Sequence, residues 1–157
     1  AARLREVQLQ NMKDIPNSGM VTTMDVGHPV FIHPVDKETV GNRLAYWALA
    51  QTYGMKGFGY APPVYKSMEI QENKIYINFY NAQRGLSPMW TSLKGFEIAG
   101  EDKVFYPAKA WIERSKMLVK SEMVPHPVAV RYGFVNYVEG DVYCDGLPLG
   151  SFRSDDW

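Results

Sequence analysis

A chain of 157 residues is long enough for one domain or two small ones, and with 46% hydrophobic and 22% charged residues it can supply a core. Lys+Arg and Asp+Glu balance at 17 each, so no basic field exists to hold a nucleic-acid backbone. No apolar run approaches the roughly 20 residues that span a bilayer, no signal peptide is present, and the single cysteine excludes an internal disulfide or a multi-cysteine metal site.

In chain order, residues 1–12 read as a helix. Leu4 and Val7 form its apolar side and Arg3, Arg5, Glu6 and Gln10 its polar side. No capping residue precedes it, which predicts that the natural chain continues upstream. Pro16-Asn17-Ser18-Gly19 marks a turn. Residues 20–26, rich in β-branched side chains, read as a strand ending at Asp25-Val26-Gly27. A loop with Pro29 and Pro34 follows. Then comes a strong helix over 37–53, with Asp36 as N-cap, an apolar stripe of Val40, Leu44, Trp47 and Ala48, and Gly54 as terminator.

Gly57, Gly59, Pro62 and Pro63 give a linker-like stretch, after which the helical period disappears. Residues 74–80 alternate, with Ile75, Ile77 and Phe79 on one face and Tyr76, Asn78 and Tyr80 on the other. Short strands are predicted over 96–99, 104–106, 108–113, 117–120, 128–134 and 142–144, separated by turn signals. Two regions result: 1–60, read as the C-terminal remnant of an α/β domain, and 61–157, read as an all-β antiparallel sandwich.

Candidate chemistry centres on His33, in a loop between the predicted strand and the capped helix. Functional groups of α/β domains gather there, and an imidazole can serve as general base. The bland alternative is a histidine that hydrogen-bonds its own loop. His28 shares the loop; with His33 it would supply two metal ligands without a third. His126 and Cys144 sit near turns and read as structural. Asp25 can orient a catalytic histidine or cap a turn, and these readings stay even. No serine lies in a Gly-x-Ser-x-Gly, Gly-Asp-Ser or Gly-Gln-Ser setting, so the chain shows no nucleophile.

The run Asn17-Ser18-Gly19-Met20-Val21-Thr22-Thr23-Met24-Asp25-Val26-Gly27, then Ile32-His33-Pro34-Val35-Asp36-Lys37 and Val40-Gly41-Asn42-Arg43-Leu44, is similar to the sialate O-acetylesterase family. Leu4-Arg5-Glu6-Val7-Gln8, Phe96-Glu97-Ile98-Ala99-Gly100, Ala108-Lys109-Ala110, Pro127-Val128-Ala129-Val130-Arg131-Tyr132 and the stretch from Gly146 to Arg153 extend the likeness over nearly the whole chain. The resemblance implies the C-terminal portion of an SGNH-type hydrolase, in a periplasmic or secreted parent protein, acting on acetyl esters of sialic acids or related sugars. It implies that His33 is the base for a serine in an upstream Gly-Gln-Ser-Asn block, which this chain lacks, so that the chain alone is inactive. No cofactor is implied. Where many SGNH members carry an Asp three residues before the histidine, this chain has Val30. Either a Ser–His dyad or another acid is then required, and Asp25 is the candidate. A different class of reading makes the β region, with Trp90, Trp111, Tyr132 and Tyr137, a carbohydrate-binding module; a third makes it only a brace.

Overall fold

A computed structural model describes residues 1–89, 91–113 and 116–157. It is mostly β. Helix α1 spans Ala2–Asn11 and α2 spans Lys37–Gln51. The strands are β1 (Val64–Gln71), β2 (Lys74–Tyr80), β3 (Phe96–Ala99), β4 (Phe105–Pro107), β5 (Lys109–Glu113), β6 (Lys116–Lys120), β7 (Ala129–Tyr132), β8 (Tyr143–Cys144), β9 (Leu147–Pro148) and β10 (Phe152–Arg153).

Two four-stranded sheets, ordered β1-β2-β6-β5 and β10-β7-β3-β4, form the frame, and β8-β9 make a small hairpin. All of these pairs are antiparallel. Period-2 alternation turns Ile75, Ile77, Ala110, Ile112, Met117 and Val119 of the first sheet inward, against Phe96, Ile98, Val130, Tyr132 and Phe152 of the second. Phe96 and Phe152 lie 4.6 and 6.1 Å from the Tyr132 ring, which is fully buried. The β8–β9 turn uses Asp145 and Gly146, both at positive φ (54° and 74°), the two-residue geometry that matches strand twist. Cys144, in that hairpin, is buried; desolvation, then the Asp145 charge, pushes its thiol up, as suits a packed residue rather than a nucleophile.

The helix over 37–51 starts as expected. Asp36 Oδ1 accepts the Thr39 amide at 2.9 Å, and its other oxygen accepts the Thr39 hydroxyl at 2.6 Å. Those bonds hold the Asp36 carboxyl below its ordinary value. Gly54, at φ 68°, lets the Met55 amide turn back to the Leu49 carbonyl at 3.0 Å.

The expected strand over 20–26 is not formed, and β1 is a strand where none was expected. Residues 20–23 have no regular structure and 24–26 form a turn. A strand needs a neighbour for its ladder, and among the described residues no strand pairs with them. Their backbone is used differently: the Gly140 amide donates to Met24 O at 3.1 Å, and Arg43 donates to Thr22 O at 2.8 Å. Met24 fills the sandwich end so closely that a Cβ on Gly133 would stand 2.7 Å from its Cε. Within residues 1–60 the described chain is thus two helices and loops, with no sheet of its own.

Arginines tie this region down. Arg5 Nε donates to Ser151 Oγ at 2.9 Å and its Nη2 to the carbonyls of Gly133 and Val135 at 2.8 Å each. Arg153 Nε donates to Glu6 at 2.7 Å. Trp47 packs on the backbone of Gly19 and takes the edge of Tyr60 at 5.6 Å.

Candidate functional site

The loop from Asp25 to Asp36 is held at both ends and bare between them. At its root, Arg43 of α2 clasps Asp25 through both nitrogens, at 2.8 and 2.6 Å. Only 7% of the Arg43 side chain and 11% of the Asp25 side chain are exposed. The fork geometry fixes where the loop leaves the helix. Further on, His28 Nδ1 accepts the amides of both Val30 and Phe31 at 3.1 Å, and its ring lies 4.8 Å from that of Phe31. Because Nδ1 is the acceptor, the neutral ring carries its proton on Nε2. The Lys37 amide bonds Val35 O at 3.0 Å, and the Asp36 cap then closes the loop.

His33 stands exposed at the tip, between Ile32 and Pro34. Its neighbours are apolar and uncovered: Val30 77%, Phe31 66%, Ile32 87% and Val35 91% exposed. The apolar stripe of α2 is also incompletely covered, since Leu44 is exposed and Arg43 is the helix's buried residue.

Asp25 and His33 belong to one loop system, but no hydrogen bond joins them among the described residues; both Asp25 oxygens go to Arg43. Among the described residues Asp25 therefore makes no hydrogen bond to a turn amide or to the imidazole. Arg43 is the residue that sequence reasoning missed. The sequence marks only its place, one turn from both Val40 and Trp47; its anion stands 18 residues away and is brought to it by tertiary packing.

Four of the described serines spend their hydroxyls on structure. Ser18 donates to Ile15 O, Ser121 to Pro107 O, Ser151 receives Arg5, and Ser154 receives the Val130 amide. None pairs with a histidine. His126 is exposed, beside a 380 Å³ hollow with Glu101, Asp102 and Tyr106. Among the described residues no group of three or more His, Cys, Asp or Glu could hold a metal ion, and no helix is long and apolar enough to cross a membrane.

Of the rings considered as sugar platforms, Tyr132 is removed by its complete burial in the core. Tyr137 is 42% exposed, and Trp111 is half-buried on the outward face of β5. Trp90 and Ser115 lie outside the described residues.

No protein-family model matches the sequence, and a comparison with curated proteins finds no match. Among solved structures, the crystal structure of a carbohydrate acetylesterase from Xanthomonas citri is similar, with a TM-score of 0.89 at 36% identity. The match covers 99% of this chain but 36% of that one, so the chain spans about a third of the length of the esterase it resembles.

Proposed function

We propose that this chain is the C-terminal part of an esterase that removes acetyl groups from sugars, sialic acids or related ones, with His33 as its general base. The observation that carries the reading is the presentation of His33. An imidazole sits at the tip of an anchored loop, ringed by bare apolar side chains. Exposed apolar surface of this kind marks a surface that another body covers. The likeness to a carbohydrate acetylesterase about three times as long supports a hydrolase body as that cover.

The chemistry is acyl transfer. A serine hydroxyl from the remainder of the longer protein attacks the acetyl carbonyl carbon, and His33 takes its proton. Backbone or side-chain donors stabilise the oxyanion. Collapse leaves acetyl-serine, and the sugar hydroxyl departs with the proton from His33. Water, deprotonated by His33, then releases acetate. In this scheme Asp25 is a positioning residue: through Arg43 it fixes the loop root, and the imidazole works as a dyad or with an acid from the rest of the protein. Residues 1–60 complete the hydrolase domain, 61–157 form the sandwich, the chain alone is inactive, and the parent protein is periplasmic or secreted.

The test uses the longer protein and an acetylated sugar. His33→Ala should lower kcat/KM by at least about 10³-fold without changing the circular dichroism spectrum. Unchanged turnover in a folded variant removes His33 from the chemistry and ends this reading.

A further inference from the structure

The outward face of the first sheet is a lattice of side chains fixed by register. With Ile75, Ile77, Ala110, Ile112, Met117 and Val119 inward, the alternate residues face out. One row runs across all four strands as Glu69, Tyr76, Leu118 and Trp111, through the pairs Glu69↔Tyr76, Tyr76↔Leu118 and Leu118↔Trp111. Leu118 is 1% exposed and lies outside the core cluster. Tyr76 and Trp111 flank it two strand spacings apart, about 9.6 Å.

On one side of that row, charges cancel. Lys116 pairs with Glu69 at 2.9 Å, and Asn78 bonds both Glu69 and Ser67. On the other side they do not. Lys109 lies directly opposite Lys120, and Lys74 falls next to Lys120 one step along the β2–β6 register. Like charges directly across strands cost stability. Among the described residues none of these three lysines has a carboxylate within ion-pair distance; Lys120 stands over the Trp111 ring, 5.8 Å from its centre.

We infer that this face binds an acidic glycan, a chain of sugar rings bearing carboxylates. The aromatic row takes the apolar faces of successive rings, and the three lysines take the carboxylates. The carbohydrate class rests on the acetyl-sugar reading above; the uncompensated lysines narrow it to an acidic chain. The face contains no residue of the segment that carries His33, so it is a holding site and not part of the reaction. A nucleic acid would also offer rings and anions, but with Lys+Arg and Asp+Glu at 17 each the chain has no long-range field to attract one.

Calorimetry on this chain, with polygalacturonate as probe, tests the inference. Polygalacturonate should bind, and its fully methyl-esterified form should bind at least about tenfold more weakly. The double variant Lys109→Gln/Lys120→Gln should also lose about tenfold while melting no lower than the parent, since it relieves the cross-strand repulsion, and Trp111→Ala should lose a comparable factor. His33→Ala should bind like the parent, so failure of the hydrolase reading leaves this result untouched. In the longer protein, the double lysine variant should keep its turnover of a small aryl acetate. Absent binding, equal binding of the esterified polymer, binding indifferent to the lysines, or tighter binding of an oligodeoxythymidylate would each overturn the inference.

Discussion

Residues 1–60 and 61–157 bury their apolar side chains on different terms. In the first region only Ala2, Thr22, Met24 and Arg43 are buried, while Leu4, Val7, Ile15, Val30, Phe31, Ile32, Val35, Leu44, Tyr53 and Met55 are exposed. In the second, Ile75, Ile77, Ile98, Val119 and Val130 are sealed between two sheets. The sandwich carries its own hydrophobic stabilisation. The helical region is instead docked by ion pairs and hydrogen bonds, Arg5 to Ser151 and two carbonyls and Glu6 to Arg153, while Asp25 to Arg43 ties its own loop to α2. A segment held this way keeps its position while leaving its greasy surface open for another body.

The largest effect should come from the sandwich. Ile77 is fully buried and faces Met117 and Met68 across its neighbouring strands. Ile77→Ala should cost about 2–5 kcal/mol in the denaturant-unfolding free energy, through lost burial and the cavity left behind. Since 1–60 has little core of its own, both regions should lose structure together. A variant in which α2 keeps its hydrogen-exchange protection after the sandwich has melted would break the comparison.

A smaller, local loss should follow Asp25→Ala. The substitution leaves the Arg43 guanidinium buried without its anion, a situation costing about 3 kcal/mol when the pair is well enclosed. The cost should appear as faster amide exchange in 20–51, with protection in β2, β3, β6 and β7 unchanged. Loss spread evenly over both regions would show that the docking is not separable from the core.

The same contrast explains what the sequence made legible. Strands such as β2 and β3 matched expectation residue for residue, because their period-2 pattern faces a real core. The α2 cap and its Gly54 terminator were equally readable, being set by local chemistry. β1 was missed because it is an edge strand with mostly exposed side chains and a bulge between Tyr65 and Ser67, so no clean alternation marks it. The segment 20–26 has strand composition without a strand, since composition cannot supply a neighbour. The Asp25–Arg43 clasp joins residues 18 apart through tertiary packing, which no local pattern encodes. His33 could be placed in its loop from the sequence, where no serine stands in a Gly-x-Ser-x-Gly setting.

The smallest effect concerns the junction of the two regions. Asp141 neighbours Gly140, whose amide bonds Met24, and it lines a 510 Å³ hollow with Ser87, Lys94, Glu139 and Tyr143. One of its oxygens accepts the Lys94 amide at 2.9 Å, while Oδ1 is buried with no hydrogen-bond partner among the described residues. Burial, with Glu139 adding a like charge, raises its carboxyl above the ordinary range despite the amide and charge of Lys94. A carboxyl raised in the folded state binds its proton more tightly there than in the unfolded chain. Its ionisation therefore weakens the fold as pH climbs through the folded value, and the penalty is absent below the unfolded value of about 3.9. Asp141→Asn keeps an acceptor for Lys94 and removes the charge. It should stabilise the protein by less than about 1 kcal/mol at pH 8, screening by water in the hollow keeping the gain small, and by nothing measurable at pH 3. Melting curves at the two pH values check this. An equal gain at both would mean that the substitution acts through packing, and a loss at pH 8 would mean that the ionised carboxylate has a cationic partner holding the two regions together.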